Sequence, residues 1–258
     1  DDFSRSMGVV FLDPWGCKTT APLWSPALAR DEPSGALDLA AKAGPDAAPE
    51  EFNEVLLPMA ARAHWWWNVW HEDRTDRRAF FQAYVRRVLQ GLGAAENPLA
   101  PPRVVTLLLR TQKARVLLNA KEVQHGLQVR LPHYDVEAVE FGGGTTWLQQ
   151  FAQIRRTRLL VSTHGAGLVW NLLLPPGAGV LELLGRGQGS AYFRNECGWG
   201  GKQYGAWRNT DPARERPRTG RDRKPLGPFH NDLFADPEAV ATAAAELLQE
   251  SPDGAAWP

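Results

Sequence analysis

The chain has 258 residues, 29 Lys and Arg against 29 Asp and Glu, a formal net charge of zero and 43% hydrophobic residues. This length carries one large domain or two smaller ones with a core of ordinary size, and the balanced charge supplies no chain-wide attraction to nucleic acid or to an anionic membrane surface. No apolar run approaches the roughly 18 residues of a membrane span, so no direct membrane insertion by this segment is expected. Asp1-Asp2-Phe3-Ser4-Arg5 does not resemble a signal peptide; lacking an initiator Met, the sequence reads as a piece of a longer protein with its targeting segment upstream.

Gly8 to Pro14 is a short apolar run closed by Asp13-Pro14, which predicts a buried strand with Asp13 at its carboxyl end. Residues 31–51, rich in Ala, Gly, Pro and acids, predict a surface loop with at most one short helix. A second apolar piece, Glu54 to Pro58, precedes Trp65-Trp66-Trp67 and Trp70, and these indoles suit either core packing or a sugar-stacking wall. Phe80, Phe81, Tyr84, Val85, Val88 and Leu89 recur at helical spacing and predict a helix within 74–92, stopped by Gly91 and Gly93. Pro98, Pro101 and Pro102 then break regular structure, and a domain boundary is expected there, between residues 1–100 and 101–258.

Beyond the boundary, short apolar runs alternate with helical stretches. The order is a strand ending near Leu109, a helix around Lys121–Gly126, a strand near Gln128–Leu131, a helix from Thr145 to Ile154 and a strand Arg158–Ser162. A helix Ala166–Leu173 and a strand Val180–Leu184 follow. That alternation predicts an α/β fold with a parallel, doubly wound sheet. Residues 210–228 are basic, Pro-rich and irregular, and Pro237–Gln249 predicts a helix capped by Asp236. Cys17 and Cys197 stand far apart in no metal-binding spacing, and are expected as free thiols.

Three places concentrate candidate chemistry. The first is Leu159 to Leu168, where a strand runs into the turn His164-Gly165-Ala166-Gly167 and opens a helix. Free backbone N–H groups and a helix dipole at such a turn suit an anion, close approach of a phosphate needs Gly165 and Gly167, and His164 can donate a hydrogen bond to it. A tight turn with a structural His is the plainer alternative. The second is Arg110-Thr111-Gln112-Lys113-Ala114-Arg115, directly after a strand of the same sheet, whose cations would enter the same crevice and neutralise a diphosphate. The third is Glu182 in Val180-Leu181-Glu182-Leu183, which suits either a ribose diol or a solvent-facing strand end.

The sequence has no P-loop, GxSxG elbow, HExxH or D-x-D pair. A cationic, helix-dipole site is the alternative to a divalent metal for stabilising a nucleoside diphosphate leaving group, and no metal or other cofactor is expected. An esterase oxyanion loop at His164–Gly167 is a poorer reading, because no nucleophile elbow accompanies it.

His164-Gly165-Ala166-Gly167-Leu168, Leu174-Pro175-Pro176-Gly177 and Val180-Leu181-Glu182-Leu183 together resemble the hallmark of glycosyltransferase family 61, and Arg110, Arg115, Asn119 and Glu122 resemble its R-x4-R-x3-N-x2-E/D block. The resemblance is strong over 103–208 and loose elsewhere. It implies a GT-B architecture of two Rossmann-like halves, residues 1–100 on the acceptor side and 101–258 binding the nucleotide sugar, without a metal. Arg110, Arg115, His164, Gly165, Ala166, Gly167, Leu168 and Glu182 match the family's sugar-nucleotide positions. The family's N-x2-H-x3-D segment lies upstream of the first matched strand, so the N-terminal half is expected to be incomplete. Within this chain Asp13 is the leading candidate for a catalytic base, with His64, His71 and Asp73 behind it.

The implied activity is inverting transfer of a sugar, N-acetylglucosamine first, from a UDP-sugar to a Ser/Thr hydroxyl of a protein in the endoplasmic reticulum or Golgi lumen. Transfer of xylose or arabinose to polysaccharide, and non-catalytic binding of a sugar nucleotide or glycan, remain alternatives.

Overall fold

The computed structural model describes residues 10–11, 34–35, 75–94, 102–110, 114–142, 144–188, 192–220 and 222–249. By compactness the chain divides into residues 1–68 with 83–96, and residues 69–82 with 97–258. In the first unit β1 (Val10–Phe11) pairs in parallel with β2 (Ser34–Gly35), so a short strand lies within the segment expected to be loop. Asp13, Cys17, the apolar piece at 54–58, the Trp cluster, His64, His71 and Asp73 lie outside the described residues. Helix α1 (Thr75–Gly91) forms where the apolar spacing predicts it, and Gly93 follows at φ +65°, the left-handed conformation in which glycine ends helices.

The second unit is built on a five-stranded sheet of β3 (Val104–Leu109), β4 (Asp135–Glu140), β5 (Thr157–Thr163), β6 (Gly179–Leu184) and β7 (Gln203–Arg208). Its order is β4-β3-β5-β6-β7, and every neighbouring pair is parallel. Strands covered on both faces read as continuous apolar runs, and β5 and β6 are buried at every position. On one face α2 (Ala120–Arg130) and α5 (Pro237–Gln249) place Val123, Leu127, Val240 and Ala244 over Val105, Leu107, Val161 and Leu181. On the other, Gln153 of α3 (Trp147–Arg155) donates to Thr106 Oγ1 at 3.0 Å, and a 3-10 helix (Ala166–Leu173) packs against both α3 and α4 (Tyr192–Trp199). α3 starts on a capping box, in which Thr146 and Gln149 satisfy each other's backbone N–H groups.

The structure corrects three expectations. Residues 128–130 belong to α2 rather than to a strand, and the strand is β4. Gly126, which looks like a helix end, is where α2 meets α5: a Cβ there would stand 3.0 Å from the Pro237 carbonyl oxygen, so glycine permits the close crossing. Residues 166–173 form a 3-10 helix instead of an α-helix; Asn171 Nδ2 donates to the Leu168 carbonyl at 2.7 Å, a side-chain bond that stabilises the tighter turn. The 210–228 region also holds regular structure, for β8 (Glu215–Arg216) pairs antiparallel with β9 (Asp232–Leu233). α5 spans the expected residues, with Asp236 Oδ1 accepting from the Glu238 and Ala239 N–H groups, both at 3.1 Å. Among the described residues no helix is long and apolar enough to cross a membrane.

Candidate functional site

In the sheet order the first strand of the unit, β3, has the second on one side and the third on the other. The chain therefore leaves β3 and β5 in opposite directions, and a crevice opens outside their carboxyl ends, the usual ligand position in open α/β sheets. Both Arg110 and the His164 turn fall there, because Leu108 of β3 pairs with Ser162 of β5. The Arg110 guanidinium lies directly on Gly165: a Cβ at that position would stand 1.8 Å from Arg110 Nη1. Gly167 is similarly close to Leu108, at 3.1 Å from Cδ2. The first N–H bonded within the 3-10 turn is that of Leu168, to the Gly165 carbonyl at 2.9 Å, so the amides preceding it have no intrahelical partner.

Arg115 adopts φ 63°, a left-handed conformation that costs a non-glycine residue on the order of 1 kcal/mol. Several bonds hold it there. Thr163 Oγ1 donates to the Arg115 carbonyl at 2.8 Å, Val116 N–H donates to Asp232 Oδ1 at 3.0 Å, and Leu118 N–H to the Leu233 carbonyl at 2.8 Å. Burial pushes the Asp232 pKa up, but the bonds from Val116, Arg216 and Arg218 outweigh it and hold the carboxyl below its usual value. The Arg115 guanidinium carbon sits 4.9 Å from the centroid of the Phe229 ring, within cation–π range.

Burial lowers the pKa of Arg110; for Arg115 burial does the same, and the Arg110 charge adds to it. Neither guanidinium has a carboxylate partner among the described residues, and the Nε of each is buried with no hydrogen-bond partner there. Two repelling, incompletely satisfied cations beside a glycine turn are stabilised by an anion with several oxygens.

His164 and Glu182 form a buried pair. Glu182, the expected ribose contact, is fully buried: Oε1 meets His164 Nδ1, and Oε2 accepts the Tyr204 hydroxyl at 2.6 Å. β6 is covered on both faces, so a residue at its centre reaches a neighbouring side chain before it reaches solvent. Glu182 therefore acts on the crevice through His164. Glu182 engages Nδ1 and leaves Nε2 as the ring nitrogen available to a ligand. Phe193 and Phe229 set the imidazole edge-to-face, each with centroids 5.7 Å away.

Of the sequence-predicted residues, the structure brings together Arg110, Arg115, His164, Gly165, Ala166 and Gly167. Leu168 is wholly buried and anchors the turn from behind. Asn119 clamps Ala235, accepting its N–H at 3.0 Å and donating to its carbonyl at 2.8 Å, and also donates to Glu122 at 3.2 Å; these two residues brace α2 rather than line the crevice. Phe193, Tyr204, Phe229 and Asp232 complete the surroundings, and none of the four is among the residues the sequence singles out.

Behind the turn lies a second polar cluster. Burial pushes the Glu196 carboxyl up to about 7, although Asn171 Nδ2 at 2.6 Å, Tyr192 and the Lys202 charge favour its ionised form. Burial lowers Lys202 to about 8 and raises the Cys197 thiol, which is free. A raised carboxyl pKa means that the native state binds the proton more tightly than the unfolded chain. This contribution is fully present below the ordinary value of 4.5 and is lost as pH rises to about 7. Glu196→Gln is expected to flatten that slope, read as unfolding midpoints at about pH 5, 6 and 7; an unchanged slope assigns it to other groups. Among the described residues no three His, Cys, Asp or Glu gather as a metal-binding group.

Beside this parallel α/β sheet and its glycine turn stands a sequence match: the family model described as Glycosyltransferase 61 matches residues 56–181. That match covers just under half of the chain. Its curated relatives include the EGF domain-specific O-linked N-acetylglucosamine transferase of Xenopus laevis, 29% identical over 51% of this chain and 25% of that protein. The proteins of the same name from Drosophila melanogaster and Bos taurus are 28% identical over 62% of this chain and 31% of the relative, and 27% identical over 55% and 28%. The chain thus spans about a quarter to a third of the length of the relatives it matches.

Proposed function

We propose that residues 101–258 are the donor half of an inverting, metal-independent glycosyltransferase that moves N-acetylglucosamine from UDP-N-acetylglucosamine to a Ser/Thr hydroxyl of a secretory-pathway protein. The observation that carries the reading is the pair of guanidiniums, Arg110 and Arg115, buried at Nε without partners beside the Gly165 turn. They and His164 Nε2 would bind the diphosphate. As the bond from the sugar's anomeric carbon to the phosphate oxygen breaks, their positive charge stabilises the oxygen that takes the electron pair. The acceptor oxygen attacks the anomeric carbon from the opposite face and loses its proton to a general base, for which Asp13 remains the candidate in this chain. The names of the relatives support the sugar and the O-linkage.

Calorimetric titration with UDP in excess EDTA tests the reading. Binding unaffected by the chelator is expected, with UDP-N-acetylglucosamine preferred over UDP-xylose. Absence of binding by a folded chain overturns the donor site. A preference for UDP-xylose overturns the sugar alone.

A further inference from the structure

Three hydrogen bonds in series run from a buried carboxyl to the glycine turn. Glu196 Oε2 accepts from Asn171 Nδ2 at 2.6 Å, the same Nδ2 donates to the Leu168 carbonyl at 2.7 Å, and the Leu168 N–H donates to the Gly165 carbonyl at 2.9 Å. Glu196, Asn171 and Leu168 are all fully buried. We infer that Asn171 and Glu196 are positioning residues for the crevice, which hold from behind the turn on which the Arg110 guanidinium lies, and hold it more firmly when Glu196 is ionised; the inference rests on the diphosphate reading above.

Geometry fixes the direction of each bond. Both oxygens beside Asn171 Nδ2 are acceptors, so both amide hydrogens are committed, while Cys197 Sγ lies 3.9 Å from Oδ1 on the other side. A hydrogen bond to a carboxylate is roughly twice as strong as one to a neutral carboxyl. Ionised, Glu196 therefore locks the orientation in which Asn171 reaches the Leu168 carbonyl. Protonated, it holds the amide less tightly, and a proton on Oε2 would oppose the amide hydrogens and favour the flipped side chain, in which Nδ2 leaves Leu168. The crevice feels the difference at Gly165, whose carbonyl is the last acceptor of the series and where a Cβ would stand 1.8 Å from Arg110 Nη1.

Burial sets the range in which the carboxyl titrates. Glu196 Oε1 is buried without a hydrogen-bond partner, a position that a neutral carboxyl tolerates better than a carboxylate. Burial accordingly raises its pKa to about 7, against the bonds from Asn171 and Tyr192 and the Lys202 charge. The ionising groups around it are Tyr192 and Cys197 of α4 and Lys202 ahead of β7, with Arg155 of α3 and Glu182 of β6 acting on Lys202 and Cys197. Tyr192 and Cys197 are raised and Lys202 is lowered only to about 8, so Glu196 titrates at a lower pH than all three. The hold on the turn should therefore strengthen as pH rises through about 7.

The test titrates UDP-N-acetylglucosamine into the wild-type chain, Glu196→Gln and Asn171→Ala at about pH 5.5, 6.5 and 7.5. The diphosphate of this ligand is esterified at both ends and keeps its charge over that range, and the other ionising groups of the site, His164 among them, are shared by all three proteins. The expected result is a wild-type affinity that rises about fivefold relative to Glu196→Gln from the lowest pH to the highest. Asn171→Ala should bind more weakly than the wild type and show no such rise, and either variant carries the comparison if the other does not fold. Repulsion between Glu196 and a bound anion, without a positioning role, would give the opposite slope. That slope, or parallel profiles for the wild type and the variants, overturns the positioning pair while leaving the diphosphate site intact. If the folded wild-type chain binds at no pH, the diphosphate reading itself falls, and the positioning pair with it.

Discussion

Arg110→Ala is expected to lower the affinity for UDP by about 100-fold, the effect of removing charge-assisted hydrogen bonds to a phosphate inside a half-buried crevice. The fold should survive the change. Arg110 has no carboxylate partner among the described residues and is desolvated in its charged form, so its loss removes a strained charge rather than a structural tie. It also removes the charge that lowers the pKa of Arg115. Calorimetry with UDP, on protein whose unfolding midpoint matches the wild type, reads the effect. Undiminished affinity would exclude Arg110 from the donor site.

The second large effect is expected from a single methyl group. Gly165→Ala puts a Cβ 1.8 Å from Arg110 Nη1, and the nearest atoms are the flexible far end of that side chain, so the guanidinium is displaced while the sheet stays in place. The backbone at φ +159° adds about 1 kcal/mol of strain to the fold. Affinity for UDP should fall by about 30-fold or more, because the cation and the turn amides no longer share one ligand. The double variant Arg110→Ala with Gly165→Ala distinguishes this cause from a general disturbance of the turn. If the glycine acts by admitting Arg110, the double variant binds UDP about as well as Arg110→Ala alone; additive losses would show that the methyl group acts on the turn itself.

The strands and helices legible in the sequence are those whose environment leaves a strong pattern. β5 and β6 are enclosed on both faces and read as unbroken apolar runs, and α5 announces itself by Asp236-Pro237 and its Ala-rich period. β4 and β7 are the two edges of the sheet. Their mixed exposure dilutes the apolar signal, in Asp135-Val136-Glu137 as in Gln203-Tyr204-Gly205, and neither was predictable as a strand at its true position. Arg110, His164 and Gly165 could be singled out because strand ends are where charged and glycine residues interrupt apolar runs. The remainder of the site lacked that advantage. Phe229 and Asp232 reach it as single residues just beyond a basic, proline-rich stretch, where periodicity says nothing about direction, and the pairing of Glu182 with His164 depends on a register that only the folded sheet defines.

The left-handed Arg115 is fastened through Val116 to Asp232, a partner 116 residues further along the chain. On a ribosome, β3 to β7 emerge before that partner is synthesised, and α5, which completes the core on one face, follows it, so the loop carrying Arg115 has no anchor while the strands are made. Contacts of such sequence separation form last, since their loop-closure entropy is offset only when the intervening structure is in place. Competence to capture a ligand is therefore acquired at the end of synthesis rather than with the sheet. A chain released before residue 232 would contain every motif of the crevice and still lack the contact that gives it shape.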